Sequence, residues 1–192
     1  MNPTSRQFGF RSARIAGPAW NLLKTGAQMA VFWSLFLWVV PRALARLERS
    51  LDIPGFVFPA SVAWTVLVLA SLLGIASAVT MALQGAGTPL PIDAPRRLVV
   101  RGPYRHLRNP MAVAGLTQGA CVACLLGSWF ALGLVAAGFV VWNFAVRPVE
   151  ERDLESCFGE AYRGYRAQVR CWIPRFPGYR PPPESGVTRR GS

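Results

Sequence analysis

The chain of 192 residues is poor in charge: charged residues make up 16%, and nine Asp and Glu stand against 21 Lys and Arg. So small a charged fraction excludes an ordinary soluble domain, in which charge is spread over every surface element. Histidine is nearly absent, with His106 the only one. The single CxxC, Cys121 and Cys124, lies inside an apolar run with no second ligand pair, so it reads as core packing rather than zinc or redox chemistry. Cys157 and Cys171 fall in the basic C-terminal part and are expected to stay reduced. Charge itself is missing over long runs, with none between Asn109 and Val146.

What is there is apolar residues in blocks, the pattern of membrane spans. The length suits one compact domain. The net charge of +12 raises nucleic acid as a partner. A nucleic-acid module, however, interleaves its arginines with polar and aromatic residues on a soluble fold, whereas here they flank apolar blocks and suit anionic lipid head groups. Membrane lipids are the expected partner and nucleic acid is not.

Four blocks can be marked: residues 25–40, residues 56–83, and two in the shared run from Asn109 to Val146. At 1.5 Å per residue that run is roughly 57 Å of helix, close to twice a 30 Å hydrocarbon core. Gly127 and Ser128 near its middle predict a tight helical hairpin. Lys24 and Arg42 can snorkel to extend the short first block. Ala43-Leu44-Ala45 after Pro41 also resembles a signal-peptide cleavage site, but the basic segment before the block is long, and a retained helix is expected. Between the first two blocks, Leu44, Leu47 and Leu51 share a helix side away from Arg42, Arg46 and Arg49, which predicts an interfacial helix.

Counted by segment, eighteen Lys and Arg lie in the N-terminal arm, the 85–109 loop and the tail, against three in the alternate segments. That bias places both termini and the loop in the cytosol, in a protein integral to the cell membrane. The fold expected is an all-α membrane bundle of about four spans with a cytosolic helical cap. Its parts are a basic arm (1–24), two spans with their connection (25–84), a core (85–176) and a disordered tail (177–192).

The hairpin returns the chain to the face it left, so RGPYRHLRNPM (101–111) and RPVEERDLE (147–155) must lie close together. A helix beginning near Pro110 offers free amides to an anionic group. Arg147 and Glu150, three apart, share a helix side facing it, with Glu151 adjacent. Interfacial anchoring explains the arginines alone; paired glutamates gain nothing from an anionic lipid surface.

These elements resemble the isoprenylcysteine carboxyl methyltransferase family in its broad bacterial branch. GPYR, R-[HN]-P, the paired glutamates, FGxxYxxY and a closing Ile-Pro recur in order over residues 85–176. The resemblance implies a small integral membrane methyltransferase that uses S-adenosylmethionine and methylates a lipophilic acceptor entering from the bilayer, the carboxylate of an isoprenylcysteine-like compound being favoured. Carried over, Arg97, Leu98, Val99 and Tyr104 line the nucleoside end, Asn109, Pro110, Met111 and Ala112 match the R-H-P-x-Y element, Glu150 binds the cofactor, and Arg147 faces the acceptor. Asn109 stands where histidine is familiar and Ala112 where tyrosine is; asparagine still donates and accepts hydrogen bonds, while the lost ring bears on the substrate.

Methyl transfer is an in-line displacement that requires alignment and exclusion of water, and no metal. A carboxylate acceptor needs no base; an amine or thiol does, and Glu151 or His106 is the candidate, with His106 better suited to a structural or phosphate-contacting role. Phe158, Tyr162 and Tyr165 repeat at helical spacing, which predicts packing against the membrane surface, and Trp172 suits an interfacial anchor. Gly85-Ala86-Gly87 follows a span rather than a strand and reads as a turn. The rival reading is a non-catalytic membrane subunit that binds lipid or a protein, motivated by Asn109 and Ala112. A transporter is disfavoured, because Thr117, Gln118 and Asn143 are too few for an ion path.

Overall fold

The computed structural model describes residues 11–12, 18–85, 93–94 and 97–181. Most of the basic arm (1–10 and 13–17), Ala86 and Gly87 of the glycine turn, and the tail from 182 lie outside the described residues. The architecture is all-α apart from a two-residue parallel pairing of Arg11–Ser12 with Asp93–Ala94.

Helix α1 (Pro18–Trp33) runs through a π-helical stretch (Ser34–Val39) into α2 (Val40–Ser50). Helix α3 (Ala60–Thr80) follows and ends in a second π stretch (Met81–Gly85), then α4 (Pro110–Leu126) and α5 (Trp129–Val141), which passes through a third π stretch (Trp142–Val146) into α6 (Arg147–Phe158). Helix α7 (Glu160–Gln168) ends the helical part. The first and last of the three π stretches precede a proline, Pro41 and Pro148. A proline lacks its N–H and crowds the carbonyl four residues back, and a widened turn relieves both.

Among the described residues, three continuous helices are long and apolar enough to cross a membrane: Leu23–Ser50, Ala60–Gly85 and Trp129–Phe158. The shorter apolar helix Pro110–Leu126 makes the fourth member of the bundle. Large apolar side chains on these helices point outward, among them Trp38, Trp64, Leu69, Leu72 and Phe144. What is buried is small: Ala63, Ala70, Gly74, Ser77 and Ala78 of α3. Where lipid is as apolar as leucine, helices associate through small residues that admit close backbones. Gln118 Nε2 of α4 adds an interhelical bond to Ser71 Oγ at 3.0 Å.

The hairpin breaks where the sequence predicts. Gly127 takes a left-handed conformation (φ 61°), and Ser128 caps α5 by accepting from Ala131 N at 3.1 Å. A Cβ at Gly127 would collide with the Phe56 carbonyl oxygen, and Phe56 N donates to Gly127 O at 3.1 Å. The 51–59 connection is thereby fastened to the hairpin tip. Glu48 completes this end. Its buried carboxylate accepts from Ser128 Oγ, from Trp129 N at 2.9 Å and from Phe130 N at 3.4 Å. A distant helix thus supplies the anion that the α5 N-terminus attracts.

Two expectations change. The connection after the first block is a helical continuation of it, α2, which buries Pro41, Ala45 and Glu48 while Leu47 and Leu51 are exposed. The tail is ordered further than residue 176, because Tyr179 is buried and its N donates to Arg105 O at 2.8 Å. Glu48→Ala is expected to lower the thermal midpoint of the detergent-solubilised protein more than Glu48→Gln, which keeps an acceptor for Ser128. Equal losses would show that the α5 amides do not depend on that side chain.

Candidate active site

At the opposite end of the bundle, the loop before α4, the start of α6 and helix α7 converge on Glu151. Arg108 Nη1 donates to Glu151 Oε1 at 2.6 Å, Arg147 Nε lies 3.7 Å from the same oxygen, and Arg166 Nη2 lies 3.4 Å from Oε2. The Glu151 and Arg108 side chains are 11% and 15% exposed, so water screens the pair little. Arg166 also reaches Glu155 at 3.4 Å. Tyr162 is buried beside this network; burial, and then the Glu151 charge, push its phenol up to about 12.

Glu150, one residue back, points elsewhere. Asn109 uses both ends of its amide: Oδ1 accepts from Ala112 N at 3.1 Å and caps α4, while Nδ2 donates to Glu150 Oε2 at 3.5 Å. Pro110 is buried in the first turn of α4, where its missing N–H costs nothing. Burial, and then the nearby Glu150 carboxylate, raise the Tyr104 phenol well above its ordinary value.

The other predicted residues are spread more widely. Tyr104 belongs to a short 3₁₀ turn, Gly102–Arg105, and its carbonyl accepts from Tyr165 Oη at 2.6 Å. Val99 is buried, Leu98 packs half-buried against the cap core, and Arg97 is exposed. Cys157, Phe158, Tyr162, Tyr165, Val169 and Tyr179 form that core. The aromatic repeat therefore packs on itself and not on the membrane surface, because its partners arrive from the loop and the C-terminal strap. Burial also raises the Cys171 thiol, which keeps it unreactive.

Residues 170–179 form this strap over the 105–108 loop. Arg108 N donates to Arg170 O at 3.0 Å, Arg175 N to His106 O at 2.9 Å, and Arg105 Nε to Tyr179 O at 3.0 Å. His106 Nδ1 lies 2.8 Å from Arg175 O, so the only histidine is a clamp, in keeping with a structural role.

Met111 and Ala112 line something different: an apolar cavity of about 300 Å³ between α1, α4 and α5, walled by Phe32, Phe36, Leu134 and Trp142. Gln28 Oε1 and Trp142 Nε1, on residues that line it, are buried without a hydrogen-bond partner. Nothing local in the chain marks these two, because their meeting depends on how α1 packs. Arg108 was within reach of sequence reasoning, since it opens the RNP element, as was Tyr162 in FGxxYxxY.

An all-helical bundle with three spanning-length helices and a polar cluster at one end defines a membrane protein with a site at its edge. A family model described as phospholipid methyltransferase matches residues 59–161, more than half of the chain. The protein is a membrane methyltransferase, and it belongs to the phospholipid methyltransferase family. The isoprenylcysteine carboxyl methyltransferases that it resembles are of the same family of small membrane methyltransferases. No curated protein matches it.

Removing one member of a buried ion pair strands the other. Glu151→Leu is expected to cost about 3 kcal/mol of stability by denaturant titration in detergent. Pairing it with Arg108→Met recovers at least half of that loss; no recovery would mean that Arg147 and Arg166 dominate the network.

Proposed function

We propose that the protein transfers a methyl group from S-adenosylmethionine to the polar end of a lipophilic acceptor, at the cytosolic face of the cell membrane. The observation that carries this reading is the first turn of α4. It joins the Asn109–Glu150 pair on one side to the apolar cavity at Met111 and Ala112 on the other. A polar group bound at the pair and an apolar chain in the cavity would meet there.

The residues present fit the cofactor. The Glu150 carboxylate receives Asn109 over a long 3.5 Å, and it keeps capacity for ribose hydroxyls or an ammonium group. The α4 amides and the Asn109 side chain favour a carboxylate. Arg97, Leu98, Val99 and Tyr104 support this end through the loop and cap, with Val99 and Tyr104 buried. When bound, S-adenosylmethionine would supply an electrophilic methyl group whose bond to sulfur breaks as an acceptor oxygen takes it.

Arg147, its side chain 29% exposed, offers a planar guanidinium to orient an anionic acceptor. Glu151 is engaged by three guanidinium groups and nearly buried. That makes it a positioning residue for Arg108 and Arg147 and closes it to an acceptor proton. Among the described residues lining the cavity, no side chain is acidic or basic. An amine or thiol would have to give its proton to Glu150, which the cofactor is proposed to engage, while a carboxylate is already nucleophilic at neutral pH. This favours a carboxylate over the phospholipid amine that the family's description brings in as a second reading.

Equilibrium binding of S-adenosylmethionine to the detergent-purified protein is expected to be saturable and to weaken about ten- to a hundredfold in Glu150→Ala, the loss of charge-assisted hydrogen bonds. Absence of binding by folded wild-type protein supports the non-catalytic alternative, a subunit that binds lipid or a protein partner. With labelled donor and native membrane lipids, the expected product releases methanol in base. A base-stable labelled lipid would identify an N-methylated amine.

A further inference from the structure

The C-terminal strap lies beyond the family match, which ends at residue 161, and its outward side carries a second feature. Trp172 Nε1 donates to Asn143 Oδ1 at 3.0 Å, and its ring meets the Phe139 ring with centroids 5.1 Å apart. Asn143 and Phe139 belong to the apolar part of the Trp129–Phe158 helix. Asn143 and Phe139 precede Arg147, where charge resumes, by about one and two helical turns, so at 1.5 Å per residue the Trp172 ring lies about 6–12 Å below the Arg147 level along the helix. A bilayer's polar layer is only about 5–7 Å thick on each side. The chain therefore leaves the polar cap at Arg170 and dips toward the hydrocarbon boundary at Trp172, while the Arg175 backbone stays tied to the loop at His106.

The residues at the dip are those that water should reject. Ile173, at the dip, is 57% exposed; Phe176, just past Arg175, meets the His106 ring with centroids 5.1 Å apart and still leaves 79% of its surface exposed. Flanking them, Arg170 and Arg180 are exposed. Exposed apolar tips between arginines, hung from a tryptophan against a spanning helix, match an interfacial anchor: rings and branched chains at the acyl boundary, guanidinium groups among the phosphates. Phe144, 72% exposed on the same helix, continues the lipid-facing surface.

We propose that residues 170–180 dock into the bilayer interface, with Ile173 and Phe176 in the acyl boundary and Arg170 and Arg180 on anionic head groups. Through the strap's bonds to residues 105–108, this lipid contact holds the loop that carries Arg108 and leads into Asn109. The inference stands on packing and exposure and does not depend on methyl transfer.

Ile173→Cys, Phe176→Cys and Arg180→Cys proteins, nitroxide-labelled and reconstituted in vesicles of phosphatidylcholine and phosphatidylglycerol, test it by power-saturation EPR. Among the native thiols, Cys121, Cys157 and Cys171 are buried, and the unsubstituted protein supplies the blank. The ratio of oxygen to nickel-chelate collisions is expected to be several-fold higher at 173 and 176 than at 180. Equal ratios at all three sites would put the strap in water and overturn the proposal. Shielding of 173 and 176 from both reagents, with dipolar broadening between labels, would overturn it in favour of a second copy of the chain on that face.

Discussion

The Glu151 carboxylate takes one arginine from the loop before α4, one from the first turn of α6 and one from α7, and the arrangement of the site follows from that convergence. Removing a carboxylate and a guanidinium from water costs several kcal/mol per ion, so these segments sit together only where the geometry repays it. Here one short charge-assisted bond, from Arg108, does most of the repaying. Arg166 is shared with Glu155, which spreads the positive charge. With Glu151 satisfied in this way, its neighbour Glu150 is left to Asn109 alone among these groups. Two adjacent carboxylates on one helix thereby acquire different roles, one committed to structure and one with acceptor capacity remaining.

The other end of the bundle solves a similar problem with different parts. Glu48, from the end of the first spanning helix, caps the N-terminus of α5 from outside its own segment. The hairpin is thus pinned at its tip by one buried carboxylate and at its base by another. Between them the helices meet through alanine, glycine and serine, which supply little energy individually but allow close approach. Polar fastening at both ends fixes the register that an apolar, small-residue interface leaves loose, and that register sets where Asn109 meets Glu150.

How much of this could be read from the chain depended on whether the signal was local. The Gly127–Ser128 break was legible because a left-handed residue followed by a capping serine is a local signature. The meeting of RNP with the paired glutamates was legible because a hairpin must return. The extension of the first span through α2 was not, since Arg42, Arg46 and Arg49 suggest an interface, and only tertiary contact explains why Pro41, Ala45 and Glu48 are buried. The tyrosines show the same limit: spacing marked Tyr162 and Tyr165 as one face, but the core they join includes Tyr179, from a segment whose composition suggests disorder. Leu98 and Val99 entered through resemblance, and the structure seats Leu98 against the cap core and buries Val99 beside it in sequence.

The first turn of α4 bears on the choice of acceptor. Asn109 spends its carbonyl on capping Ala112 and its amide on Glu150, so a single side chain ties the helix start to the carboxylate. Two and three residues on, Met111 and Ala112 already face the apolar cavity. A tyrosine at 112, the residue of the pattern this chain resembles, would project its ring from a position that lines the cavity and take up space there. Alanine leaves that space open right up to the polar pair. On the proposed reading, the substitution leaves the Asn109–Glu150 contact intact and enlarges the room for an apolar chain beside it. It therefore alters which acceptor fits without removing the groups that hold the donor.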